Sequence, residues 1–454
     1  MSQIKINSLS IMKILIERCT QLTSGLSPIS ILVLGYFSYV LLGWLLLSLP
    51  IAQTVSVSTL DNLFIATSAV STTGLVTVDP GSSYSFFGEV VILAMMQLGG
   101  IGYMTFGSFI LLATQQKISQ RREEITRAAF AMPQDFKIVD FIKRVIVFTF
   151  SVEAVGATAL WFFFAQSGVE NSLWLAVFHS VSAFCTAGFS LFSNSFEGFR
   201  DHVGINLTIA ALSYFGAIGF IVITDVFDTL IKKRDYLHFT SKVILRVTIG
   251  FTVVGTVLVV IIEQSIAGLA PWERLLAAFF QVMTATTTVG FNTLPISGMS
   301  LAVLMVLFFL MIFGASPSGT GGGLKSTTFA ALLALVISTL KGRSRIRFSR
   351  HEISLDRLQI ATAGFAFYML VFLLAMIMLL LLETASFEQI MFEIISSLGT
   401  VGLSLGITGN LSELGKLVVI FLMFMGRVGI LTLGIALSMR EETVEEEQDC
   451  ELIL

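Results

Sequence analysis

Long apolar runs alternate with short mixed ones along this chain, and the alternation recurs four times. About 20 consecutive apolar residues make a helix long enough to cross a bilayer core. The pattern therefore predicts membrane helices near 29–49, 141–164, 243–263 and 359–383. Each is followed by a second apolar helix, near 89–114, 204–230, 299–340 (interrupted) and 416–439. Between the members of each pair lies an amphiphilic stretch of about a dozen residues, too short to span. These stretches open with helix-start chemistry: Thr59 with Asp61, Asn171, Pro271 with Glu273, and Ser386 with Gln389. Each unit thus reads helix, half-helix, extended loop, helix.

The four units superimpose on short segments. Phe64, Phe178, Phe280 and Phe392 each stand ten residues before a glycine (Gly74, Gly188, Gly290, Gly402). A hydroxyl residue lies six before it (Ser68, Ser182, Thr284, Ser396) and a threonine two before it (Thr72, Thr186, Thr288, Thr400). A fixed period means a structure assembled from copies. The predicted fold is an all-α membrane protein: four pseudo-symmetric helix–pore-loop–helix repeats, with eight transmembrane helices and four re-entrant pore loops, around one central pore.

Composition agrees, since 55% of residues are hydrophobic, 13% are charged and the mean hydropathy is +0.88. Such a chain lacks the charged surface a soluble protein of 454 residues needs. Of its 27 Lys and Arg residues, twenty-two fall in the N-terminal tail, in or beside the links between units, or just after the last helix. Only Arg200, Arg274 and Lys416 lie on the pore-loop side. Positive residues stay cytoplasmic, so both termini and the links are expected inside a multi-pass cell-membrane protein, with the pore loops entering from outside. Acids concentrate on that outer face (Asp61, Asp79, Glu89, Glu170, Glu197, Asp201, Glu263, Glu273, Glu383, Glu388, Glu413), a sign bias that attracts cations. The expected division is a tail at 1–28, repeat 1 at 29–116, repeat 2 at 117–235, repeat 3 at 236–345, repeat 4 at 346–440 and an acidic tail at 441–454. Cys19, Cys185 and Cys450 form neither a disulfide framework nor a metal-spaced cluster.

Non-helical backbone at membrane depth is tolerated only where protein buries it or water meets it. Four Thr-x-Gly strips around one axis would aim carbonyl oxygens inward, in place of a potassium ion's water. Glycine is needed there because it reaches positive φ and leaves no side chain in the lumen. The candidate filter is Thr72, Thr73 and Gly74; Thr186, Ala187 and Gly188; Thr288, Val289 and Gly290; and Thr400, Val401 and Gly402. No carboxylate lies within these strips, so selection falls to backbone dipoles.

With those strips, with Gly314-Ala-Ser-Pro-Ser-Gly-Thr-Gly-Gly-Gly-Leu-Lys-Ser326, and with Gly426-Arg-Val-Gly429, the chain resembles the superfamily of potassium transporters that includes KtrB, TrkH and the plant HKT proteins. The resemblance covers essentially the whole chain. It implies monovalent cation uptake stimulated by sodium, a homodimer with one pore per subunit, and a cytosolic nucleotide-binding regulatory ring of the KtrA kind. The transported ion it implies is K+, with Na+ a second candidate and no covalently bound cofactor. The short segment before the first predicted span favours the eight-span KtrB type over TrkH, and Gly74 resembles the potassium-selective branch. Partners reduce to that ring, a second copy and lipid, with no nucleic acid.

The third inner helix is broken between Gly314 and Lys325, a stretch no α-helix can continue through. It is the candidate gate, with Gly314, Ser316, Ser318, Gly319, Thr320, Gly321, Gly322, Gly323 and Lys325 as its residues. Arg427 lies at equal depth in the last inner helix and is expected to act as a cationic barrier that bonds the loop's carbonyls; an ion pair with Glu153 is the alternative. Lys325 is expected to snorkel and anchor the loop's cytosolic end. The glycine pairs Gly99/Gly102, Gly216/Gly219 and Gly426/Gly429 read mainly as close helix packing. Gly319-Thr-Gly-Gly-Gly-Leu-Lys-Ser326 is no phosphate-binding loop, because Leu324 stands where that motif needs glycine. His179 reads as packing or hydrogen bonding. A sodium or mixed sodium/potassium transporter is the competing reading; an inverted-repeat secondary transporter is disfavoured, because cytosolic links give all four repeats the same orientation. An intramembrane hydrolase lacks the Ser-His, paired-Asp or metal constellation it would need.

Overall fold

A computed structural model describes residues 28–102, 138–231, 236–349, 351–430 and 432–433. The N-terminal tail, the first basic link, the predicted helix beyond Gly102, the end of the last helix and the acidic tail lie outside the described residues.

The order of elements is the same in each quarter of the chain. An outer helix comes first: α1 (Pro28–Leu47), α4 (Ile138–Gln166), α8 (Phe239–Ile262) or α12 (Leu355–Leu382). A half-helix follows: α2 (Thr59–Val70), α5 (Ser172–Phe184), α9 (Pro271–Thr287) or α13 (Phe387–Gly399). An inner helix closes the unit: α3 (Phe86–Ile101), α6 (Val203–Ala217), α10 (Leu301–Phe313) or α14 (Glu413–Val428). Two inner helices resume beyond a break, as α7 (Phe220–Leu230) and α11 (Ser326–Leu340). A two-residue hairpin, β1 (Arg347–Phe348) with β2 (His351–Glu352), lies in the third link and was not predicted.

Four described helices are long and apolar enough to cross a membrane: Ser30–Leu47, Val139–Gln166, Phe239–Ile262 and Leu355–Leu382. The inner helices α3, α10 and α14, at 16, 13 and 16 residues, reach roughly 20–24 Å at 1.5 Å per residue. That falls short of a hydrocarbon core of about 30 Å. The continuous inner helix expected at 204–230 is in fact two helices, α6 and α7, bent by 96°.

Local chemistry explains where the half-helices begin. Ser58, not Thr59, caps α2, accepting from the Asp61 amide. Pro271 starts α9. Ser386 and Gln389 form a complete capping box on α13. Asn171 stands at the cap of α5 with φ +51° and makes no capping bond.

Packing is cyclic. Each half-helix packs on the outer and inner helices of its own unit, and each inner helix also packs on the next half-helix: α3 on α5, α6 on α9, α10 on α13, and α14 back on α2. The closing joint carries an ion pair, Lys416 Nζ to Asp61 Oδ1 at 2.7 Å, with both side chains 15% exposed. The half-helices are the core. Phe64, Phe178, Phe280 and Phe392 are all buried there, while Leu381, Val155 and Ile261 on the outer helices face outward.

Candidate functional site

The four half-helices end alike. Thr72, Thr186, Thr288 and Thr400 hold φ of +53°, +50°, +57° and +49°. For a β-branched residue this left-handed conformation costs about 1–2 kcal/mol, so four repetitions require strong local constraint. The constraint is a hydrogen bond from the next amide back to the hydroxyl-bearing residue five earlier. Thr73 N donates to Ser68 O and Ala187 N to Ser182 O at 2.8 Å, Val289 N to Thr284 O at 3.1 Å, and Val401 N to Ser396 O at 2.8 Å. This is a Schellman cap with threonine in the usual glycine place. In the first and last strips the hydroxyl adds a second tie, with Gly74 N and Gly402 N donating to Ser68 Oγ and Ser396 Oγ at 3.1 Å.

Beyond the threonines the strips close on one another. The glycines have φ of +91°, +68°, +86° and +91°. A Cβ on Gly74 would fall within 3.0 Å of Ala187 O, one on Gly188 of Val289 O, one on Gly290 of Val401 O, and one on Gly402 of Thr73 O. The sequence of neighbours runs through units one, two, three, four and back to one. All twelve predicted filter residues therefore lie together, with one carbonyl from each strip seated on the preceding strip's glycine.

Directly against the threonines lies the segment 314–325. Thr320 is its centre. Its carbonyl stands 3.2 Å from Thr72 Oγ1, its hydroxyl 2.9 Å from Thr186 Oγ1, and its amide donates to Gly216 O at 3.1 Å. Gly322 N donates to Thr400 Oγ1 at 2.8 Å, and Gly323 N to Gly426 O at 3.3 Å. A Cβ on Gly321 would collide with Thr288 Oγ1. One segment thus touches all four threonines. Its ends are fixed too: Ser326 N donates to Ala315 O at 2.7 Å, Ser316 Oγ lies 3.3 Å from Ser326 Oγ, and Gly319 abuts Ala217 O. Ser318 caps the bent helix α7, its carbonyl accepting from Phe220 N at 3.2 Å and its hydroxyl from Ile221 N at 3.1 Å.

Arg427 reaches across this assembly. Its guanidinium donates to Thr320 O and Gly99 O, to Thr72 Oγ1 at 3.1 Å and to Gly100 O at 3.3 Å. The alternative partner Glu153 is engaged elsewhere, accepting from Gln97 Nε2 at 3.2 Å, while its backbone carbonyl accepts from Ser180 Oγ. Lys325 does not snorkel. Its Nζ turns back and donates to Gly321 O at 2.8 Å, within its own loop.

The glycine pairs have two distinct roles, and packing covers only the first. A Cβ on Gly99, Gly216, Gly314 or Gly426 would fall far inside 3.0 Å of Val70 O, Phe184 O, Thr286 O or Leu398 O, respectively. Each of these oxygens belongs to the residue two before the filter threonine. Three residues on, Gly102 and Gly429 take φ of +84° and +100° as the caps that end α3 and α14, and Gly219, at +98°, stands at the start of α7; in the third unit Pro317 holds that place. Among the described residues the inner helix therefore ends or breaks close to this register in every unit, not in the third alone. The register of small residue, two intervening, then Gly or Pro was visible in the sequence and carries both roles.

Several of the acids expected on the outer face are structural partners. Glu263 accepts from Ser300 N and Oγ at 3.0 and 3.1 Å, Glu383 from Ser412 N at 3.0 Å, and Glu197 from Asn292 Nδ2 at 2.8 Å. Burial pushes the Asp61 carboxyl up, but the Lys416 and Ser58 hydrogen bonds outweigh it and hold it below its ordinary value. These acids are thus committed to local structure. Among the described residues no group of three His, Cys, Asp or Glu side chains could hold a metal ion.

A family model described as TrkH, a cation transport protein, matches residues 41–446. The Ktr system potassium uptake protein B of Vibrio alginolyticus is 34% identical over 419 residues, covering 91% of this chain and 92% of that one. The potassium/sodium uptake protein NtpJ of Enterococcus hirae is 33% identical over 430 residues, covering 92% and 95%. The crystal structure of the potassium transporter TrkH from Vibrio parahaemolyticus superposes with a TM-score of 0.68 at 21% identity, over 89% of this chain and 84% of that one.

Proposed function

Because this chain belongs to the TrkH family of cation transport proteins, we propose that it is the ion-translocating subunit of a Ktr-type potassium uptake system. Its relatives are ion transporters, not enzymes. The observation that carries the finer reading is the closed ring of four strips, each built on a left-handed threonine and a positive-φ glycine. Such a ring offers peptide oxygens to a dehydrated cation without any carboxylate. The half-helices direct their partially negative C-terminal ends at the same place. Eight spans and four re-entrant loops, divided at the repeat boundaries given above, are the membrane arrangement that fits.

In this reading the 314–325 loop and Arg427 are the gate, and the structure corresponds to a closed pore. The loop covers the filter threonines, and a guanidinium beside the path repels a cation. Opening displaces both. Transport is passive: an inside-negative potential supplies about 2.3 kcal/mol per charge per 100 mV, enough for roughly fortyfold accumulation. The relatives named as Ktr system proteins support a multi-component system, hence a cytosolic nucleotide-binding ring on the basic inner face and a second copy of this chain.

A sodium or mixed transporter is the second reading, favoured by the relative named as a potassium/sodium uptake protein. Rubidium uptake into liposomes containing the purified chain tests both. Uptake that Gly74→Ser or Gly290→Ser weakens, and that potassium competes for better than sodium, supports the potassium filter. Uptake that the two substitutions leave untouched would overturn it, and preferential sodium competition would favour the second reading.

A further inference from the structure

One position of the repeat has a chemistry that the filter account leaves unused. The residue after each buried phenylalanine is Ile65, His179, Gln281 or Glu393, nine residues before the filter glycine in every unit. All four side chains are fully buried. In three units this side chain is polar and reaches over the strip to the chain just beyond it. His179 Nδ1 lies 2.7 Å from Leu175 O and must carry the proton, so Nε2 is free to accept from Leu191 N at 3.3 Å, with Ser190 Oγ 3.0 Å away. The Gln281 carboxamide oxygen accepts from the Thr293 and Leu294 amides at 3.0 and 2.9 Å in the orientation that satisfies both. Glu393 accepts from Ser404 Oγ at 2.8 Å and from Thr408 Oγ1. Three different groups do the same job at the same register.

These bonds tie the segment two to six residues past the filter glycine to the half-helix that precedes the strip. The strip is therefore anchored at both ends of its extended part, by the Schellman cap below and by this staple above. Ile65 has no polar atom to offer, so the first strip lacks this particular tie. Burial makes the bonds expensive to break, since a donor or acceptor left behind would go unpaired in a dry interior. His179 is further fixed by stacking on Phe192, with ring centroids 4.7 Å apart.

We infer that His179, Gln281 and Glu393 are positioning residues that hold three of the four strips at a fixed separation and thereby set the discrimination between potassium and the smaller sodium ion. A strip free to move inward would let its carbonyls close on sodium and recover the coordination energy that a rigid ring denies it. The inference rests on the reading of the strips as an ion filter. It assigns the three side chains no contact with the ion.

The test is sodium competition against rubidium uptake in liposomes. Glu393→Leu, Gln281→Leu and His179→Phe should each raise sodium's potency as a competitor by about fivefold per hydrogen bond lost. Glu393→Gln, whose amide oxygen can accept from Ser404 Oγ while its amide nitrogen donates to Thr408 Oγ1, keeps both ties and should hold the wild-type ratio. To separate the bonds from folding of the core, Ser404→Ala with Thr408→Val removes the same bonds from the loop side and should shift the ratio as Glu393→Leu does. Variants that lower total uptake while the competition ratio stays at the wild-type value would overturn the staple. A wild-type chain that carries no rubidium would instead overturn the filter reading beneath it.

Discussion

Replacing Arg427 with alanine tests the gate most directly. In the structure the guanidinium donates to Thr320 O on the loop, while its other bonds go to Gly99 O, Gly100 O and Thr72 Oγ1, none of which belongs to the loop. Only the Thr320 bond is lost on opening by necessity. A hydrogen bond to a charged group contributes about 1.5–3 kcal/mol, so its removal should shift the closed–open balance roughly ten- to a hundredfold toward open at 1.4 kcal/mol per tenfold. Loss of the positive charge beside the path acts in the same direction. The assay is rubidium uptake by the purified chain in liposomes without any regulatory partner, normalised to protein that keeps the wild-type elution and melting profile. Arg427→Lys separates the two contributions, since it keeps the charge but cannot span Thr320 and the end of α3 together. An intermediate rise assigns weight to the clamp; a rise seen only with alanine assigns it to charge. Wild-type flux in Arg427→Ala would refute the gating role.

Four further outcomes follow. Gly216→Ala drives a Cβ into Phe184 O and should abolish the folded protein on size-exclusion chromatography, whereas Gly250→Ala, with nothing within 4 Å of its Cβ, should leave the melting temperature unchanged or raise stability by up to about 1 kcal/mol. Gly322→Ala sets a Cβ against Thr400 Oγ1 and Gly426 O, so it should push the loop from the threonines and raise flux without regulator. Gly290→Ala, at φ +86° against Val401 O, should lower rubidium uptake and its preference over sodium together. Lys416→Met strands the Asp61 carboxylate and should cost about 1–2 kcal/mol in a thermal melt, between surface-pair and buried-pair values. Because the Asp61 value is lowered in the fold, the pair's contribution is complete above the ordinary carboxylate value of 3.8 and fades only as pH falls through the lowered value. The deficit should therefore be constant across neutral and mildly acidic pH.

The repeat was legible because its marks are local. Phe, hydroxyl, Thr and Gly recur at fixed offsets, and the offsets are those of a helix end: the hydroxyl residue supplies the carbonyl that closes the cap, and the threonine is the left-handed turn residue. The outer helices were legible from length alone. What the sequence could not convey was which group meets which. Lys325 looks like a snorkelling lysine until the loop folds back and places Gly321 O within reach. Glu153 and Arg427 look like natural partners, yet the end of α3 lies closer to the arginine and offers carbonyls left over from a terminated helix. The 96° bend at Gly219 was obscured because a Gly-x-x-Gly pair serves packing and breaking equally well. Thr320 carried no signal of its own; its importance comes from where the loop crosses.

That crossing has a consequence for how such a molecule can change over time. A bar laid across an axis cannot exist in four copies, since the copies would compete for one volume. A tetramer of identical subunits could not build it, because every alteration to its gene is made four times over. Joining the quarters in one polypeptide lets one quarter spend part of its inner helix on the bar, while α3 and α14 stop short of it and α6 turns aside into α7. It also means that a single codon alters one strip of the ring, so the ring can be varied in steps a quarter the size.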